Sequence, residues 1–295
     1  MIPGLAILFW FYKDLSLCQN RLQWLRQKNP RCPIYGLYGG DGNDREQFAQ
    51  GLSSYLEDFY SFDQPQTSHW KWLNGDLMIN QWYRDRGQFL PWETVVVIQW
   101  DMVILAPLSQ VFPQLKPGHL LLSFYRPIAE IAHHWEWVKK QPHRDRYQEF
   151  LSILQQRYGY AHSPMCAIFI VVALPRIFLE AYSQVADPEL GFIEYRVPIY
   201  SQIFGIGVDA YHPPRVNVPA KLQRVLTAAN PPVRLGTILC HWLLPGGARV
   251  FHPYNGLIPL GWRQWLSQGL GLIYRLGQEI LGQFKDSSKA PHPRG

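Results

Sequence analysis

The chain has 295 residues, room for one large domain or two small ones. Hydrophobic residues make up 47% of it and charged residues 17%, which excludes a disordered chain and requires a substantial buried core. The formal charge is +6 and the pI is near 9.1. That suits an anionic partner such as a nucleotide or an acidic lipid, but the basic residues form no block, so no nucleic-acid-binding arm is indicated.

The opening stretch, MIPGLAILFWFY, has no basic n-region and no small-residue cleavage site. Its continuous apolar run reads as a strand covered on both faces. SLCQNRLQWLRQKNP follows as a helix, with Ser16 as a cap and Asn29-Pro30 as its stop. PIYGLYGG is a second strand ending in glycines, and strand, helix, strand opens a parallel α/β sheet. DREQFAQGLSSYLEDFYSF and GDLMINQWYRDRG both read as helices.

TVVVIQWDMVIL, residues 94–105, is the most strand-like stretch in the chain, yet Asp101 stands in its middle. Either the strand breaks there or a carboxylate is buried. An unpaired buried carboxylate is costly, so a partner is implied. That partner is an arginine or a divalent cation bridging phosphate oxygens; Mg²⁺ and Mn²⁺ both prefer oxygen ligands.

Further on, HLLLSFY and PMCAIFIVVAL read as strands, while RDRYQEFLSILQQRYG and PRIFLEAYSQVA read as helices. AIFIVVAL is too short to cross a bilayer, which takes about 20 residues. IEYRVPIYSQIFGI is a helix that must tolerate Pro198. The stretch 206–235 is proline-rich and without a period, and LGTILCHWLL and GARVFHPY read as short strands. GWRQWLSQGLGLIYRLGQEILGQF places Trp262, Trp265, Leu266, Leu270, Ile273, Leu276, Ile280 and Phe284 near helical spacing, the pattern of an amphipathic helix. Cys18, Cys32, Cys166 and Cys240 form no CxxC pair, so neither a zinc knuckle nor a disulfide framework is supported, and a reducing, cytoplasmic setting is the simplest inference.

Open parallel sheets bind ligands beyond the carboxyl ends of their strands. Those ends here carry Lys13-Asp14, Gly39-Gly40-Asp41 and Gln99-Trp100-Asp101. GLYGGDGND is glycine-rich but is neither GxGxxG nor a Walker sequence, and no GxSxG elbow occurs. His133 and His134 of AHHWEWVKK are adjacent and so do not share a helix face; they are expected on the surface.

TVVVIQWDMVIL resembles the strand and DxD-type motif of glycosyltransferases with the GT-A fold, with Gln99 standing where the first acid would be. KWLNGDLMINQWYRDRG resembles the segment before that motif, which implies that Lys71 and Asp76 face the donor. ELGFIEYRVPIY resembles the segment carrying the catalytic base, with Glu194 in that place. VFHPYNG resembles the segment carrying the late histidine of the fold, with His252 as a contact to metal or diphosphate. The match spans roughly residues 5 to 256, in short motifs.

The resemblance implies a GT-A-like (Rossmann-like) α/β domain over residues 1–260, its mixed, mostly parallel central sheet flanked by helices. Residues 261–295 would form a C-terminal helical tail, an amphipathic helix with a disordered end. It implies transfer of a sugar from a nucleotide diphosphate sugar to a hydroxyl acceptor, glycan or lipid-linked, by an inverting, metal-assisted displacement. Asp101 and His252 would hold Mn²⁺ or Mg²⁺, Gln99, Lys13, Asp41, Lys71 and Asp76 would line the donor site, and Glu194 would be the general base. An amide oxygen is a weaker ligand than a carboxylate, so Gln99 sets the metal in question. The tail would let the protein rest on the inner face of a membrane. The competing expectation is a non-catalytic nucleotide-sugar- or glycan-binding protein on a degenerate GT-A fold.

Overall fold

The computed structural model describes residues 3–227 and 231–261. Its first strand, β1 (Leu5–Phe11), is nearly all buried, and α1 (Leu15–Lys28) follows. Asp14, not Ser16, caps α1: its carboxylate accepts the Leu17 N–H at 3.0 Å, and Ser16 Oγ donates to the same oxygen at 2.9 Å. Next come β2 (Ile34–Tyr38), α2 (Arg45–Leu52), β3 (Asp58–Ser61), α3 (Ser68–Leu73) and α4 (Gly75–Asp85). β4 (Thr94–Gln99) is followed by β5 (Val103–Ile104), α5 (Leu108–Val111), β6 (Leu120–Pro127), α6 (Glu136–Lys139) and α7 (His143–Tyr158). β7 (Met165–Pro175), α8 (Arg176–Ser183), α9 (Ile193–Ile203), β8 (Val208–Tyr211), α10 (Ala220–Gln223), α11 (Leu235–Leu243) and β9 (Val250–Phe251) complete the described chain.

Seven strands form one mixed, mostly parallel sheet in the order β3-β2-β1-β4-β7-β6-β8, flanked by helices. β1, β2, β3 and β4 run parallel, β7 runs antiparallel to both β4 and β6, and β6 pairs parallel with β8. The two faces of the sheet build two cores, as the period of two dictates. Leu8, Val95, Val97 and Leu122 point to the side covered by α4, α7, α8 and α9. Phe9, Val96, Ile98 and Leu121 point to the side covered by α1, α2 and α5. Each such side chain, removed wholly from water, contributes about 1.5–3 kcal/mol before the cost of ordering it. A third apolar cluster joins Trp24, Val103, Ile238 and Phe251 around the β5–β9 ribbon.

Besides the cap of α1, two sequence expectations change here. The helix expected from 44 ends at Leu52, and FYS of its second half joins the sheet as part of β3. LGTILCHWLL is helical as α11 rather than a strand, an ambiguity inherent in a short apolar run without a period. TVVVIQWDMVIL takes the first of its two expected forms and breaks at Asp101: Trp100 N–H still bonds Trp10 O at 2.9 Å, then Met102 N–H turns back to Gln99 O, and β5 leaves for a second sheet with β9. The expected C-terminal helix lies outside the described residues, among which no helix is long and apolar enough to cross a membrane.

Candidate functional site

The turn that splits β4 from β5 sits at the carboxyl edge shared by β1, β2 and β4. Asp101 is on that turn, mostly buried, and its Oδ1 has no hydrogen-bond partner among the described residues. The β5–β9 register brings a histidine to it: Val103 pairs with Phe251, so His252 emerges one residue further on, beside Asp101. His252 Nε2 lies 3.4 Å from Asp101 Oδ1, and Tyr254 N–H donates to Asp101 O at 2.8 Å. The His252 ring is fixed from behind, because Nδ1 is 3.0 Å from Thr227 O and that acceptor assigns a proton to Nδ1. Nε2 therefore faces the carboxylate either as a lone pair or as a cationic N–H. The separation is longer than the 2.7–2.9 Å of a tight charge-assisted hydrogen bond.

Arg21 supports this turn from α1. Its guanidinium is buried, donates to Tyr254 O at 2.8 Å and Gly256 O at 2.7 Å, and lies over the Tyr254 ring. Burial lowers its pKa to about 10, while Tyr254 and Asp101 pull in the opposite direction, so it remains a cation at neutral pH. Asn20 closes the same loop by pairing both ways with the Ile258 backbone.

A second group of polar side chains meets at Phe169. The β6–β7 register runs from Leu122↔Val172 to Ser123↔Ile168, so a bulge carries Phe169, Ile170 and Val171 out of simple pairing. Just past Ser123 on the opposing strand, Phe124 adopts a left-handed φ of 56°. The bulge leaves Phe169 main-chain groups to side chains. Gln99 Nε2 donates to Phe169 O at 3.1 Å, and Phe169 N–H donates to the Glu194 carboxylate. Glu194 is in the first turn of α9, where backbone N–H groups would favour its charge. Burial is the larger effect and lifts its pKa to about 7, with the Phe169 hydrogen bond opposing it.

The remaining expected donor residues divide. Lys13 Nζ lies 4.8 Å from the centre of the Trp100 ring, next to Asp101. Lys71 Nζ donates to Gly39 O at 2.7 Å and Gly40 O at 3.3 Å, holding the end of β2, and burial lowers its pKa. Asp41 is exposed and caps a short turn through Asn43 N–H. Asp76 is not brought to the crevice. It is buried under Arg196, which donates to both of its oxygens at 2.6 and 2.8 Å, and Tyr182 OH donates to it as well. His133 and His134 are exposed and contact each other. Burial also keeps the Cys18 and Cys166 thiols protonated at neutral pH.

Sequence reasoning passed over Arg21, Thr227 and the Phe169 backbone, whose roles depend on long-range register. It also passed over a cavity of about 680 Å³ lined by Trp70, Trp137, Phe192 and Tyr195, four of the 12 Trp, 16 Tyr and 15 Phe in the chain. No family model matches the chain, and no curated protein matches it. Among solved structures, the chain is similar to a cytidylyltransferase from Leptospira borgpetersenii serovar Hardjo-bovis. The two are 10% identical over 70% of this chain and 75% of that one, with a TM-score of 0.40. A likeness of that size bears on none of the chemistry.

Proposed function

We propose that the protein is a transferase acting on a nucleotide diphosphate sugar, moving the sugar to a hydroxyl acceptor in the manner of GT-A glycosyltransferases. The observation that carries this reading is the buried Oδ1 of Asp101, without a hydrogen bond among the described residues, facing His252 Nε2 at 3.4 Å. A carboxylate oxygen and an imidazole nitrogen aimed at one point form a donor pair that fits Mn²⁺ or Mg²⁺. Asp101 and His252 would hold that cation, and the diphosphate oxygens would complete its shell. When bound, it would offset charge developing on the leaving diphosphate. Gln99 donates through Nε2 to Phe169 O, which leaves only its amide oxygen, a weaker ligand than a carboxylate, to face a cation. Lys13, above Trp100, is placed to attract the same anion.

Glu194 takes the acceptor proton in this reading. A base works best with a pKa near the operating pH, and about 7 meets that requirement. The second reading, a protein that binds nucleotide sugars or glycans without turnover, draws on one observation. Gln99, an amide, stands where the GT-A motif has its first acid.

Calorimetry of a uridine or guanosine diphosphate titration with Mn²⁺ present tests the proposal. Asp101→Asn should weaken binding about tenfold or more while leaving the thermal transition in place. Equal affinity in variant and parent would remove Asp101 from the donor site. Nucleotide binding with no sugar transfer from any donor would favour the non-catalytic reading.

A further inference from the structure

A cleft of about 680 Å³, apart from the Asp101–His252 pair, lies between α3, the start of α7 and the loop before α9. It falls within the size range of small-molecule and oligosaccharide sites. Two elements serve both places. α3 sends Lys71 to the end of β2 and Trp70 into the cleft. The first turn of α9 sends Glu194 to Phe169 and Tyr195 into the cleft. Glu194 does not itself line the cleft; its helix neighbour Tyr195 does.

Its walls define a chemistry. Trp137 stacks on Phe192 with ring centroids 3.8 Å apart and an interplanar angle of 16°, so the platform is rigid before any ligand arrives. Trp72, 56% exposed, continues this aromatic surface 5.9 Å from Trp137. Around the rings stand Glu149, Glu189 and Asp187 against Arg146 as the one guanidinium, with His143 in the same lining and its ring 4.3 Å from that of Trp137. That excess of acid disfavours a phosphate or a nucleotide. Asp187 is held by Arg157 at 2.6 Å, and Glu189 is 3.5 Å from Trp70 Nε1. The side chains of Arg146 and Glu149 make no hydrogen bond or ion pair among the described residues; they stand ready for hydroxyl groups. Aromatic faces for C–H surfaces, with carboxylates and a guanidinium for hydroxyls at their rim, match a neutral sugar chain and suit neither a lipid tail nor an anion.

We infer that this cleft binds a neutral oligosaccharide, stacked on Trp137 and Trp70 and hydrogen-bonded by Glu149 and Arg146. Its role as the acceptor rests on the transferase reading above; the binding itself does not. The acceptor hydroxyl would lie at the end of the cleft nearest Glu194.

The test uses the full chain and malto-, cello-, xylo- and chito-hexaose as probes, read by saturation-transfer NMR and tryptophan fluorescence at millimolar sugar. At least one probe should bind, and Trp137→Ala should weaken it about tenfold or more. Because Trp137 also packs on Phe192, Glu149→Ala is the second variant. This exposed change should leave the thermal transition in place and weaken the same probe several-fold. No binding of any probe to the parent would overturn the inference, as would binding undiminished in both variants. A parallel nucleoside diphosphate titration separates the two proposals. Sugar binding that survives Asp101→Asn supports the cleft even where nucleotide binding fails and the transferase reading falls.

Discussion

Glu194 illustrates how burial can outweigh a helix start. Its ordinary pKa of 4.5 rises to about 7 in the folded protein. The folded state therefore binds this proton more tightly than the unfolded state does. The resulting stabilisation is full below about pH 4.5 and is lost as pH rises from 4.5 towards 7. At 1.36 kcal/mol per unit, the loss reaches up to about 3 kcal/mol. Glu194→Gln keeps the shape and removes the titration. Urea unfolding should show variant and parent close together at pH 4.5 and the variant more stable by roughly 2–3 kcal/mol at pH 8. A difference that does not change between the two pH values would mean that Glu194 is not buried as described. Sugar transfer by the parent should rise with pH through about 7 and fall on the order of 10²–10⁴-fold in the variant. Transfer at the parental rate would assign the base to another residue. The sequence singles out Asp101 as an acid inside a β-branched run and Glu194 only through a resemblance. It does not single out the partners that give them their properties. Thr227, Arg21 and the Phe169 backbone come from distant segments, and no local pattern encodes a bulge three residues deep.

At the scale of elements, α4 and α9 are joined through one buried ion pair. Asp76, expected at the donor, instead accepts from Arg196 and Tyr182, while Arg196 also donates to Asn74 Oδ1 at 3.0 Å. This pair fixes the start of α9, and with it Glu194 and Tyr195. Removing one member leaves an uncompensated buried charge, so Asp76→Asn should cost about 3–5 kcal/mol in denaturant unfolding. Replacing both, as Asp76→Leu with Arg196→Met, should recover much of that loss. A loss below about 1 kcal/mol in the single variant would show that α9 is positioned by packing alone. The sequence made the parallel half of the sheet readable, because β1, β2 and β4 are unbroken apolar runs with helices between them. It did not make β7 readable as antiparallel, since a strand buried on both faces looks the same in either direction. Nor did it separate β3 from the helix before it: FYS lacks the length to assert a period of two.

For the whole molecule, charge and exposed apolar groups bear on where it works. The net charge is +6. Leu243 on α11 and Leu257 in the loop after β9 are 66% and 58% exposed, and both belong to the chain just before the described residues end at Gly261. The sequence beyond spaces Trp262, Trp265, Leu266, Leu270 and Ile273 at helical intervals, with Arg263 and Arg275 among them and only Glu279 and Asp286 as acids. Such a segment can lie in a bilayer interface, where buried apolar area and attraction to anionic headgroups add. Four glycines between 269 and 282 lower the helix propensity of this sequence by roughly 1 kcal/mol each relative to alanine. Packing on its own domain is the other way to cover the same stripe, and it predicts a different outcome. In flotation with vesicles of phosphatidylcholine and phosphatidylglycerol, the full chain should rise with the lipid and a chain ending at Pro259 should remain below. Binding should fall as salt is raised, because basic residues make part of the contact. Equal behaviour of the two chains would remove the membrane role. A truncated chain that unfolds at lower temperature and leaves flotation unchanged would assign the stripe to the domain core.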